Sequence, residues 1–140
     1  MGKVNSIRVI ISGLAAGLVI NIGEFILNEP ILGKGWKALA AKYQLPEPGG
    51  SIIAYYVLMA FIMGIVLIWI YAAIRPRFGP GPRTAIIAGL LVWFLGWFWG
   101  LIGAAVAGIY PWNLVTTTLI WGFFEVPLAA LAGGFLYKEE

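Results

Sequence analysis

The sequence predicts an all-α polytopic membrane protein: an antiparallel four-transmembrane-helix bundle with a short interfacial helix between helices one and two. Three observations carry this expectation. The 140-residue chain is 61% hydrophobic and 11% charged, whereas a soluble domain is roughly 25% charged. The apolar residues gather into four long runs, and a run of about 20 residues crosses the roughly 30 Å hydrocarbon core as a helix. Pro, Gly and charged residues collect between the runs. The length suits a single domain over residues 1–140, with helices expected at about 7–28, 52–74, 84–109 and 114–137.

The first run contains SGLAAGLVINIGEFIL. It follows Lys3 and Arg8, a positive start that also heads a signal peptide. The run continues through Asn21 and Glu24 to about Asn28 without a clear cleavage site. It is therefore expected to be a retained helix, with cleavage as the lesser alternative. The long connection over 29–51 contains KGWKALAAKYQL. Trp36, Leu39, Ala40 and Tyr43 fall on one face, with Lys34, Lys37 and Lys42 free to snorkel, which suits a short helix in the interface. A solvated, partly helical loop fits the same dozen residues.

The second run begins after the turn-forming PEPGGS and is expected to stop at RPRFGPGPR, residues 75–83. That turn reverses the chain and holds Arg75, Arg77 and Arg83 at headgroup level. Topology accounts for these arginines, and contact with anionic lipid is the alternative. Between the third and fourth runs, Tyr110-Pro111-Trp112-Asn113 makes an uncharged turn. Pro111 disfavours helix at Tyr110, and the aromatic rings suit the interface. With the amino terminus inside, Lys3, Arg8, Arg75, Arg77, Arg83 and Lys138 lie in the cytoplasm, against Lys34, Lys37 and Lys42 outside. The bias places both termini in the cytoplasm of a bacterial inner-membrane protein.

The chain has no cysteine and no histidine, which excludes disulfides, thiolate nucleophiles, Cys/His zinc sites and histidine-ligated haem. No phosphate-loop pattern, hydrolase triad or zincin motif is present. The basic residues sit where topology puts them, so the net charge of +3 points to no nucleic acid. No cofactor is called for. The dense Trp93, Phe94, Trp97, Phe98 and Trp99 cluster would stack on a quinone, pigment or lipid tail. Filling space opposite glycines is the simpler use. Small-xxx-small pairs, Gly13 with Gly17, Gly96 with Gly100, Gly100 with Ala104 and Ala104 with Gly108, let helix backbones approach closely. A faint likeness links segments one and three, and NIGEF (21–25) with WGFFEV (121–126); Gly/Ala-rich apolar helices give such matches by chance, and a two-hairpin repeat is the lesser alternative.

Two intramembrane acids are the candidate chemistry. Glu24 lies in the outer part of helix one, with Asn21 and Asn28 at helical spacing on its face. Glu125 lies about 18 Å into helix four, near the midplane. A carboxylate there is tolerated only if protonated, paired or wet. Pro127 removes a backbone donor and leaves the Phe123 carbonyl unserved, a candidate helix opening. Thr117 and Thr118 are candidates to line a path toward Glu125. These residues point to an ion or proton site of unknown metal preference. The bland alternative is a pair of structural acids, each held by a donor on a neighbouring helix.

Three segments, AGLVINIGEFILNE (16–29), YAAIRPRFGPGPRTAIIAGLLVWF (71–94) and WGFFEVPLAALAGGFLYKEE (121–140), together resemble an uncharacterised group of small bacterial four-helix integral membrane proteins. The RPRFGPGP turn is the most distinctive part. The resemblance implies a fold and a location, and it transfers no substrate or catalytic residue. Two functions therefore stand side by side. One is a proton- or cation-coupled transport module using the intramembrane carboxylates. The other is a structural or accessory subunit of a larger membrane complex. An enzyme ranks below both, for want of a nucleophile–base pair. Membrane lipids and either further copies of the chain or a larger complex are the expected partners.

Overall fold

A computed structural model describes residues 3–139. Four rods are long and apolar enough to cross a membrane: Ser6–Ile31, Gly50–Phe78, Pro82–Val106 and Trp112–Leu136. They pack as an antiparallel bundle, and the chain is a multi-pass membrane protein. The first rod is α1 (Ser6–Ile26) extended by a wide turn over Leu27–Ile31, and a separate short helix, α2 (Gly33–Lys42), follows it. The second rod is α3 (Gly50–Phe78). The third is α4 (Pro82–Trp93) and α5 (Trp99–Val106), joined through a wide turn at Phe94–Phe98, and the fourth is α6 (Trp112–Leu136). Of the two sequence readings of the first connection, the helix is the one formed.

Local chemistry explains the ends. Asn5 caps α1, its side-chain oxygen accepting from Arg8 N at 3.1 Å. The second rod runs past the expected stop at residue 74. Arg75, Pro76 and Arg77 continue the helix, because a proline in the last turn forfeits only one backbone bond. Gly79 ends it, at φ 84°, where a left-handed residue suits a helix C-terminus. The reversal is thus confined to 79–81, and the Thr84 hydroxyl ties it by donating to Gly79 O at 2.6 Å.

Each rod touches its neighbours in order, α1 on α3, α3 on α4, α4 on α6, and α6 back on α1, with α3 also reaching α6. Glycine permits two of these approaches. A methyl group at Gly64 of α3 would fall on Gly13 O and Gly17 N of α1, and one at Gly89 of α4 would fall on the Pro127 backbone of α6. The helices therefore meet backbone to backbone, as small residues allow in lipid. Trp93 and Trp97 fill the space opposite Gly122, and the Trp93 indole donates to Leu119 O at 3.0 Å. The core between the rods consists of Ile20, Leu67, Ile68, Ala88, Val126 and Ala129, with similar small and branched residues.

Two caps close the bundle. At the end carrying both termini, Tyr71 and Tyr137 meet edge to face and Arg75 lies over both rings. Arg75 Nη1 pairs with Glu139 at 3.5 Å. At the other end α2 folds back over the bundle. Trp36 and Leu39 join Leu27, Leu32, Leu114 and Trp121 in one cluster, and the Tyr43 hydroxyl donates to Ile109 O at 3.1 Å.

Candidate functional site

Glu24 and Glu125 sit at different depths when each helix is counted alone, about 10 Å and 20 Å from the α2 end. The bundle nevertheless brings their carboxyls together. Side chains on an α-helix lean toward its N-terminus. The two helices are antiparallel, so Glu24 leans away from the α2 end and Glu125 leans toward it. Gly23 supplies the remaining room: the Glu125 carboxyl lies across α1 where a Cβ on Gly23 would stand. The Glu24 carboxyl is its acidic neighbour, within hydrogen-bonding reach.

Glu125 is buried, at 6% exposure, and Glu24 is half-buried. Glu24 Oε2 is served: Asn28 Nδ2 donates to it at 2.7 Å and also to Glu24 O at 2.9 Å. The Asn28 carbonyl oxygen in turn accepts from the Trp36 indole at 2.9 Å. An indole N–H only donates, so Trp36 decides which way the amide faces. Glu24 Oε1 and both Glu125 oxygens are buried without a hydrogen-bond donor among the described residues. Two carboxylates so placed would each carry a penalty of several kcal/mol. That rivals the whole stability of a domain, about 5–15 kcal/mol. A proton or a cation must therefore neutralise the pair.

The wide turn at Leu27–Ile31 makes this arrangement possible. Pro30 has no N–H to give Ile26 O, and the turn closes instead by Leu32 N donating to Leu27 O at 2.8 Å. Such i→i+5 turns often mark functional sites. Here the turn swings α2 back so that Trp36 reaches Asn28. On α6, Leu114, Thr118, Trp121 and Glu125 fall on one stripe at seven- and four-residue spacings. Gly35 of α2 packs on the Leu114 side chain at the outer end of that stripe.

The other candidates separate from the pair. Asn21, three residues before Glu24, turns to α3 and donates to Gly17 O at 3.0 Å and Val57 O at 3.3 Å. The Thr117 and Thr118 hydroxyls donate to Asn113 O and Leu114 O of their own helix, each at 2.8 Å. Thr118 is buried on the Glu125 stripe, whereas Thr117 is turned aside. Pro127 is buried against Gly89, and α6 stays a continuous helix through it. Arg77 and Arg83 are exposed, while Arg75 is committed to Glu139 and the two tyrosines. No group of three or more acidic, Cys or His residues able to hold a metal occurs among the described residues.

Gly23, Trp36 and Trp121 escape a reading by sequence. Gly23 lies beside Glu24 in a helix rich in glycine, with nothing local to distinguish it. Trp36 reads as an interfacial anchor. Pro30 is the available signal, since it interrupts an apolar helix two residues after Asn28 and forces the chain to turn. Comparison with family models, with curated proteins and with solved structures finds no match.

Proposed function

We propose that this protein is a small proton- or cation-coupled transport module of the bacterial inner membrane, with both termini in the cytoplasm, in which Glu24 and Glu125 form the ion-binding pair. One observation carries the reading: two facing carboxyls whose three free oxygens have no donor. A purely structural contact gains nothing from such a pair, because a glutamine at either position would satisfy its partner. An acid pair suits a place where a charge is bound and released. Asn28 and Trp36 position Glu24, Thr118 and Trp121 lie on the α6 stripe leading to Glu125, and Pro127 gives α6 a place to open. Arg77 and Arg83 are free to meet anionic headgroups.

Reconstitution of the full chain into liposomes with a trapped pH-sensitive dye tests this. A potassium diffusion potential should drive proton or alkali-cation movement through the wild type. Glu125→Gln should reduce that movement at least about tenfold, the scale of losing one charged partner, while circular dichroism and elution volume stay unchanged. Wild-type liposomes no more permeable than empty ones to protons, sodium and potassium would overturn the reading.

The accessory-subunit reading is favoured by a separate feature. On the third rod Gly100 and Gly103 are uncovered beside exposed Phe94, Leu95 and Trp99. Mass spectrometry of the assembly purified in mild detergent distinguishes further copies of the chain from a larger complex.

A further inference from the structure

The stripe of α6 that carries Glu125 holds one further unpaired group. The Trp121 indole N–H is buried without a partner. Trp121 stands one turn from Glu125 on the same stripe of α6 and joins the cluster of Leu27, Leu32 and Leu114 at the outer end of the bundle. The three unpaired acceptors belong to the acid pair itself.

The donor set discriminates between a proton and a metal ion. Magnesium takes six oxygen ligands and calcium six to eight, and the pair offers three unengaged oxygens in a buried place, so either ion would have to carry most of its shell as water into the bundle. The nearest amide presents the wrong end: Trp36 holds the Asn28 carbonyl, and the NH₂ faces Glu24. An amide NH₂ suits negative charge shared over two carboxyls and opposes a bare cation. Charged groups elsewhere are remote or solvated. Arg8, Arg75, Arg77 and Arg83 belong to the opposite end of the bundle, and Glu29, Lys34, Lys37 and Lys42 are exposed.

We infer that the occupant of the pair is a single exchangeable proton lying between Glu24 Oε1 and the Glu125 carboxyl. This rests on the reading of the pair as an ion site. Asn28 bonds Glu24 Oε2 as an acceptor and so holds Glu24 as the ionised partner. Glu125 is then the acid that donates. Trp36 is a positioning residue, acting on the proton through Asn28.

Infrared difference spectra of the full chain in lipid nanodiscs at neutral pH test the inference. The wild type should show the carbonyl band of a protonated carboxyl, shifted on transfer to D₂O and unmoved by sodium, potassium, magnesium or calcium chloride. Glu125→Gln should abolish the band. Trp36→Phe retains a ring in the α2 cluster but frees the Asn28 amide, and should shift the band's position. A wild type lacking the band, or a band abolished by added metal ion, overturns the inference. A metal-displaced band together with cation flux in liposomes would sink the proton and keep transport. A metal-insensitive band with no flux would sink transport and keep the proton.

Discussion

At Gly23 the absence of a side chain lets the Glu125 carboxyl cross the face of α1, because a methyl group there would fall on Glu125 Oε1. Overpacking of this kind costs about 1–3 kcal/mol when neighbours must shift. Gly23→Ala is therefore expected to lower the thermal unfolding midpoint in detergent and to move the Glu125 carboxyl away from Glu24. The same substitution at Gly103, where a Cβ meets nothing within 4 Å, should change stability by less than about 0.5 kcal/mol. Equal midpoints for the two variants would show that Gly23 does not make room for the acid. The acids themselves are legible in the sequence, since a carboxylate in an apolar run stands out. Their pairing is not, because depth counted along each helix separates them and only the opposed lean of antiparallel side chains brings them together.

For the helices, glycine spacing alone does not say which pairs are contacts. Gly13 and Gly17 face Gly64 backbone to backbone, yet Gly100, at the same four-residue spacing from Gly96, faces open space. Gly64→Ala must push α1 and α3 apart, because the obstructing atoms are backbone and cannot rotate away. It is expected to destabilise by about 1–3 kcal/mol or more, read as an earlier denaturation midpoint in mixed micelles. Gly100→Ala should be tolerated in the same assay, and a loss as large as that of Gly64→Ala would place a partner helix on the third rod. Helix α2 illustrates the complementary limit. Its composition is marginal for an isolated helix of ten residues, and packing of Trp36 and Leu39 on the bundle end stabilises it.

Across the whole molecule, the absence of cysteine makes the topology directly measurable. Ala41→Cys on exposed α2 should react with an impermeant maleimide added to intact cells, and Pro80→Cys in the exposed turn only after permeabilisation. Labelling with the reverse pattern would invert the orientation argued from the positive residues. If α2 covers the route to the acids, crosslinking it to the bundle should slow flux in the liposome assay. A suitable pair is cysteines at Gly35 and Leu114, whose side chains would meet. Unaltered flux after complete crosslinking would exclude a covering role for α2.

Four apolar runs, their turns and their charges determined the number of rods, their antiparallel order and the presence of two intramembrane acids. These follow from composition and chain length, because lipid requires every backbone group to be satisfied within its own helix. The tertiary structure alone decided which residues share a site. It set Asn21 against α3 and Asn28 against Glu24, turned Trp36 inward on the bond pattern that Pro30 forces, and laid Glu125 over Gly23. Those choices depend on the rotation and lean of one helix against another, which close glycine contacts determine and no periodicity within a single helix records.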